Sequence, residues 1–225
     1  MRAVRPGVGR LVVFAPQYFA DVPTMIGLLL PSAVAALVGV ACGGSLARCL
    51  SARVAWWPTL LAAFAVELVL YNPPINRLDW AIAAGPSIWV LSKVLMLAVL
   101  ARNAAVDEHG RPAWVVIFVG IGLNTLAIVA NGGHMPQSSE AAAAVWGADY
   151  VRADAYTGRL DNVSWMGTDS RLPWLCDILP LPRWLPRPSV LSIGDIVLAL
   201  GVGGWILASV SRTPDAVVDH RQVMI

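Results

Sequence analysis

Apolar residues in this chain are grouped in long blocks rather than alternating with polar ones. Five runs stand out, at residues 24–42, 56–71, 79–101, 114–130 and 193–210. A helix rises about 1.5 Å per residue, so crossing a hydrocarbon core of about 30 Å takes roughly 20 apolar residues. The blocks therefore predict an all-α membrane protein with about five transmembrane helices. Trp56, Trp57, Trp80 and Trp114 stand at the starts of runs, where an amphipathic indole suits the headgroup layer. Pro31 and Pro86 fall inside the first and third runs. Each removes a backbone donor and predicts a kink, with a broken, ligand-lining helix as the sharper alternative.

Between the fourth and fifth runs lies one long polar and proline-rich stretch, residues 131–188. The chain thus divides into an extension at 1–24, a four-helix part at 25–130, the long loop at 131–188, a fifth helix at 189–210 and a tail at 211–225. The first stretch carries Arg2, Arg5 and Arg10, but Pro16 interrupts its apolar run, which does not fit a removable signal peptide. Residues 1–24 also read as an extension from an early start, with Met25 as the beginning. Within the loop, Ser138, Ser139 and Glu140 precede Ala141 to Trp146, the pattern of a capped short helix. Further on, prolines interleave with Trp174, Leu175, Leu179, Leu181, Trp184 and Leu185. Such a segment is apolar yet unable to form a regular helix, so it belongs against the membrane surface or over the bundle mouth.

Composition agrees with the blocks. Hydrophobic residues make up 57% of the chain and charged residues 13%, with a mean hydropathy of +0.66, far from the roughly 25% charged content of soluble domains. Arg48, Arg53, Arg102, Arg111, Arg212 and Arg221 collect on one side of the expected bundle, against Arg77 in the short loop opposite. Positive charge stays inside, so the tail is expected in the cytoplasm and the long loop outside. Arg2, Arg5 and Arg10 weigh the other way. A net charge of +2 without a basic stripe excludes a nucleic-acid binder. Cys42, Cys49 and Cys176 have no CxxC spacing, and no HExxH pattern or His and Cys cluster is present, so no metal is assigned. Nor is there a P-loop, dinucleotide fingerprint or nucleophile elbow, and no cofactor is assigned.

Candidate chemistry rests on few residues. Glu67 and Lys93 are ionisable groups inside expected spans, where an unpaired charge is expensive. They predict a structural ion pair, or else a pair lining an ion or proton path. Asn124 and Asn131 are seven residues apart, hence on one helical face, and suit interhelical hydrogen bonds. Gly132 and Gly133 follow, predicting a tight exit turn first and an anion or substrate nest second. His134 is the histidine nearest a membrane mouth, because His109 sits in a polar loop and His220 in the tail. It could act as a general base oriented by Asp177 or Asp195. Ser192 to Asp195 has the spacing of a capping box, which accounts for Asp195 without a catalytic role. Asn162, Val163 and Ser164 match a glycosylation acceptor by pattern alone.

The run Asn124 to Pro136, with its Asn-Gly-Gly-His-Met-Pro end, followed by Leu175-Cys176-Asp177 and Ser192-Ile193-Gly194-Asp195, resembles a bacterial multi-pass membrane family classed as a domain of unknown function. The likeness begins near Met25 and covers most of the chain; in that family a glycine is expected where Cys176 stands. The resemblance implies a small helical membrane protein and imports no activity. Three readings follow. The leading one is a non-catalytic membrane protein whose outer loop contacts the lipid bilayer, a protein partner, a second copy of the chain or a small ligand, with Asn131, Gly132, Gly133, His134, Asp177 and Asp195 as candidate ligand residues. The second is a membrane-embedded enzyme using His134, Asp177 and Asp195 at the outer face, which requires the three to converge. The third is a small transporter or channel subunit using Glu67 and Lys93.

Overall fold

The computed structural model describes residues 22–152, 161–185 and 188–211, with the helix path alone for residues 22–31. The arginines of the extension and tail, the His220 position and the side chain of Pro31 lie outside the described residues. The described chain is mostly helical with little strand. Its helices are α1 (Val22–Ala41), α2 (Leu46–Leu50), α3 (Trp57–Leu70), α4 (Asp79–Val106), α5 (Arg111–Ala130), α6 (Ser139–Trp146), α7 (Ala148–Arg152) and α8 (Ile193–Ser211). Three of the described helices, α4, α5 and α8, are long and apolar enough to cross a membrane. α1 and α3 occupy the other two expected runs.

The long helices pack as neighbours in the order α3, α4, α5, α8, α1. α3, α4 and α5 are joined by short turns and alternate in direction. α8 enters beside the end of α5 and lies between α5 and α1. The ends of α1 and α8 meet, because Ser45 N–H donates to the Val210 carbonyl at 3.0 Å. One end of the bundle therefore carries the turns at 43–56 and 107–110, and the other carries residues 71–78 and the long loop.

Close packing around α8 depends on glycine. A Cβ on Gly120 would lie 2.5 Å from the Leu198 backbone nitrogen, and one on Gly201 would lie 2.6 Å from that of Ile117. Gly39 and Gly44 similarly approach Val210. Small residues let helix backbones meet where dispersion, not hydrophobic expulsion, must hold them together. The outward faces are apolar: Leu37, Leu68, Leu91, Leu126 and Leu200 are all more than half exposed. A water-soluble bundle hides such residues; here they ring the helices, as a lipid-facing surface requires.

Two expectations are corrected inside this frame. Trp114 is not an outward-facing indole: it is buried, its indole donates to Asp107 Oδ2 at 3.0 Å, and its ring lies 5.3 Å from that of Trp205. α4 runs unbroken through Pro86, so the ligand-lining broken helix does not form there. Asn103, which the sequence does not single out, clamps the turn before α3. Its side chain accepts from Ala55 N–H at 2.8 Å and donates to the Ala55 carbonyl at 3.0 Å.

The described residues between 131 and 192 form a small cap over one end. β1 (Met135–Gln137) pairs in parallel with β2 (Val163–Trp165), and an isolated bridge joins Gln137 to Asp177 on the other side of β1. β3 (Leu179–Pro180) pairs antiparallel with β4 (Val190–Leu191). α6 begins as predicted, with Ser138 Oγ accepting from Ala141 N–H at 3.2 Å. Met135 and Leu175 of the cap share a buried cluster with Leu70, Trp89 and Ile128 of the bundle, so cap and helices form one core.

Candidate functional site

The mouth of the bundle is built from the end of α5, the cap and the start of α8. α5 closes in a glycine exit turn: Gly132 at φ +70° sends its N–H to the Val129 carbonyl, and Gly133 at φ +90° sends its own to Ile128. This 5→2 and 6→1 pair is a Schellman ending. Both amides are consumed by helix carbonyls, so the exit-turn reading holds and these two amides cannot serve as an anion nest. Gly133 also admits the close approach of α4, since a Cβ there would lie 2.5 Å from Pro86 Cβ.

Asn131 fastens the cap to this turn. Its amide donates to the Arg171 carbonyl at 2.9 Å and accepts from Arg171 N–H at 2.8 Å, as a neighbouring strand would. It also donates to the Ala127 carbonyl at 2.8 Å. Asn124, two turns earlier on α5, bonds α8: Nδ2 donates to Asp195 Oδ1 at 2.7 Å, and Oδ1 accepts from Ser192 Oγ at 2.8 Å. The capping box forms as expected, with Asp195 N–H donating to Ser192 Oγ at 3.0 Å and Ser192 N–H to Asp195 Oδ2 at 2.9 Å. Gly194 is obligatory between them, because a Cβ there would fall 1.9 Å from Asn124 Oδ1.

Asp177 is stitched to β1 by its backbone: its N–H donates to the Pro136 carbonyl at 3.0 Å and its carbonyl accepts from Ser138 N–H at 2.9 Å. Its side chain is buried. Burial, and secondarily the nearby Asp195 carboxylate, push the Asp177 carboxyl well above the usual carboxylate range. Burial and then Asp177 push the Cys176 thiol up to about 11, so it stays protonated and inert at neutral pH. His134 turns elsewhere. Its Nδ1 lies 3.1 Å from the Asp161 carbonyl, and because a carbonyl only accepts, Nδ1 carries the hydrogen. No described hydrogen bond joins His134 to Asp177 or Asp195, so the three candidate residues are not seen to converge.

Between α3 and α4, Lys93 Nζ donates to Glu67 Oε2 at 2.9 Å. Ser92 Oγ donates to Glu67 Oε1 at 2.7 Å, and the Lys93 ammonium lies 5.4 Å from the Trp89 ring centroid. Both carboxylate oxygens are occupied, and the side chains are only 18% and 13% exposed for Glu67 and Lys93. The arrangement is a closed pair, with Ser92 and Trp89 as members that the sequence does not reveal. Among the described residues no group of three or more His, Cys, Asp or Glu is placed to hold a metal ion.

Fold and mouth together define a helical protein with membrane-length apolar helices, closed at one end by a small mixed cap. The chain belongs to DUF5317, a family of unknown function, whose model matches residues 51–207. That match takes in α3 to α5, the cap and most of α8, and begins well after Met25, where the resemblance was expected to start. No curated protein matches the chain. No solved structure matches it either.

Proposed function

We propose that the protein is a five-helix integral membrane protein of the inner membrane, with its C-terminus in the cytoplasm, whose cap rests in the outer headgroup layer and binds lipid without catalysing a reaction. The observation that carries this reading is the placement of exposed indoles. Trp80, at the start of α4, is 54% exposed, and Trp174 and Trp184 of the cap are 55% and 81% exposed, all at the capped end. Trp56 and Trp57 are similarly exposed at the opposite end. Two tryptophan girdles at the two ends of an apolar bundle match the two interfaces of a bilayer. α4, with 28 residues, extends about 42 Å and reaches from one to the other.

Arg183 supports the same placement. Its guanidinium donates to the Ala143 carbonyl at 3.0 Å and to that of Ala144, completing the end of α6 and fixing the backbone from which Trp184 projects. The non-catalytic reading is favoured by how the candidate residues are used. Asp195 is spent on Asn124 and Ser192, and His134 on Asp161. A transport path through Glu67 and Lys93 is disfavoured by the closed pair.

Reconstitution into phosphatidylcholine vesicles carrying a headgroup-proximal nitroxide tests the reading. Wild-type tryptophan emission is expected to be strongly quenched, with a clear fraction of that quenching lost in Trp184→Phe. If the Trp184 contribution is instead quenched only by iodide in the water phase, the cap stands clear of the lipid and the reading fails.

A further inference from the structure

At the end of the bundle opposite the cap, arginines stand without acids to meet them. From Val22 to Val66 the sequence contains no Asp or Glu. Asn103 holds the turn before α3 against the end of α4, through the Ala55 amide at 2.8 Å and the Ala55 carbonyl at 3.0 Å. That clamp sets Arg53 and Arg102 at one end of the bundle, and both are exposed. The ion pairs found among the described residues join Lys93 to Glu67, Arg111 to Glu108 and Arg152 to Asp149, and none includes Arg53 or Arg102. Arg111, at the same end, is engaged: its Nε donates to the Ala104 carbonyl at 2.9 Å and closes α4. Asp107 is engaged as well, by the Gly110 amide and the Trp114 indole, and Glu108 faces Arg111 at 3.9 Å. Around the two unpaired arginines the surface is apolar. Leu50 is 88% exposed, and Leu46, Trp56 and Trp57 are more than half exposed. Water would leave these apolar groups bare, and hydrocarbon would leave the guanidiniums without a counter-charge. A layer of anionic headgroups over acyl chains satisfies both.

We propose that this end, formed by α2, the turn before α3 and the last turns of α4, is a binding surface for anionic phospholipid. Arg53 and Arg102 take the headgroup phosphates, for which a guanidinium is the suited donor. Trp56 and Trp57 lie at the level where headgroup meets chain, and Leu46 and Leu50 reach below it. The inference rests on the reading of the chain as a membrane protein and adds to it a lipid class and an end. The cap carries Glu140, Asp149, Asp161 and Asp169 among its arginines, so it offers no comparable acid-free surface, and a preference for anionic lipid belongs to the opposite end.

Native mass spectrometry of the full chain tests the surface, with the protein released from neutral detergent micelles that hold phosphatidylglycerol or phosphatidylcholine at equal mole fraction. Wild type is expected to retain phosphatidylglycerol roughly tenfold more than phosphatidylcholine, with a preference that shrinks as salt is added. Arg53→Gln with Arg102→Gln is expected to lose most of that preference, about fivefold for each arginine. Arg77→Gln with Arg171→Gln, at the capped end, is expected to keep it. A wild type without preference overturns the proposal. So does a preference that the Arg53 and Arg102 pair leaves unmoved, or one that the capped-end pair lowers as much. If the double variant fails to fold, the single variants Arg53→Gln and Arg102→Gln decide the point. Micelles have no sides, so a cap found clear of lipid by nitroxide quenching leaves every one of these outcomes as it stands, and the two readings fail separately.

Discussion

Lys93→Met on its own is expected to destabilise the protein by roughly 3 kcal/mol, and the double variant Glu67→Gln with Lys93→Met to recover most of that loss. The asymmetry follows from what each change leaves behind. Removing the ammonium leaves the Glu67 carboxylate with only Ser92 Oγ as a partner, on a side chain that is only 18% exposed. Neutralising both residues leaves a Gln amide that still accepts from Ser92, facing a methionine of similar length. Unfolding in mild detergent with increasing denaturant, measured for the two single variants and the double, gives the coupling directly. A double variant as unstable as the sum of the singles would show that Glu67 and Lys93 act separately and that the closed pair is not what holds α3 to α4.

Gly201→Val is expected to be as damaging, for a steric reason. The added Cβ would meet the Ile117 backbone nitrogen at 2.6 Å and Ile117 Cα at 3.1 Å; backbone cannot step aside as a side-chain tip can, so α5 and α8 must separate. Overpacking of this kind costs about 1–3 kcal/mol and sometimes more, and here it falls on the contact through which α8 reaches the rest of the bundle. Gly204→Val is the control. There the nearest atom, Ala113 Cβ, lies at an ordinary 3.7 Å, and little change in thermal stability is expected. Equal losses for the two variants would mean that glycine matters along α8 for backbone conformation and not for contact.

What could be read in advance divides along the line between local and distant causes. The five long apolar runs announce helices because the blocks are as long as the element they build, and each observed helix begins and ends within a few residues of its run. The caps at Ser138 and at Ser192 with Asp195 were legible because donor and acceptor lie three residues apart. Glu67 and Lys93 were legible because a charge among apolar residues demands a partner and few were available. The cap was not. Its strands are two or three residues long, too short for alternation to show, and β1 is held on one side by residues 163–165 and on the other by Asp177. Asn131 reads as a helix-packing amide, yet its partner is the backbone of Arg171, forty residues on. The inward turn of Trp114 depends on Asp107 and Trp205, and the burial of Asp177 on how the cap closes against α8. Each of these is a contact that only the assembled fold creates.

The bundle is expected to cross a membrane with the cap outside. Asp169 in the cap and His109 in the turn between α4 and α5 are both exposed and lie at opposite ends. With Cys42 and Cys49 replaced by alanine and the buried Cys176 left in place, labelling by a membrane-impermeant maleimide reads the side on which each position lies. Asp169→Cys is expected to react in intact cells, and His109→Cys only once the cytoplasmic face is opened. Labelling of both positions from the same side would contradict a crossing, and labelling of His109→Cys from outside with Asp169→Cys protected would place the cap in the cytoplasm.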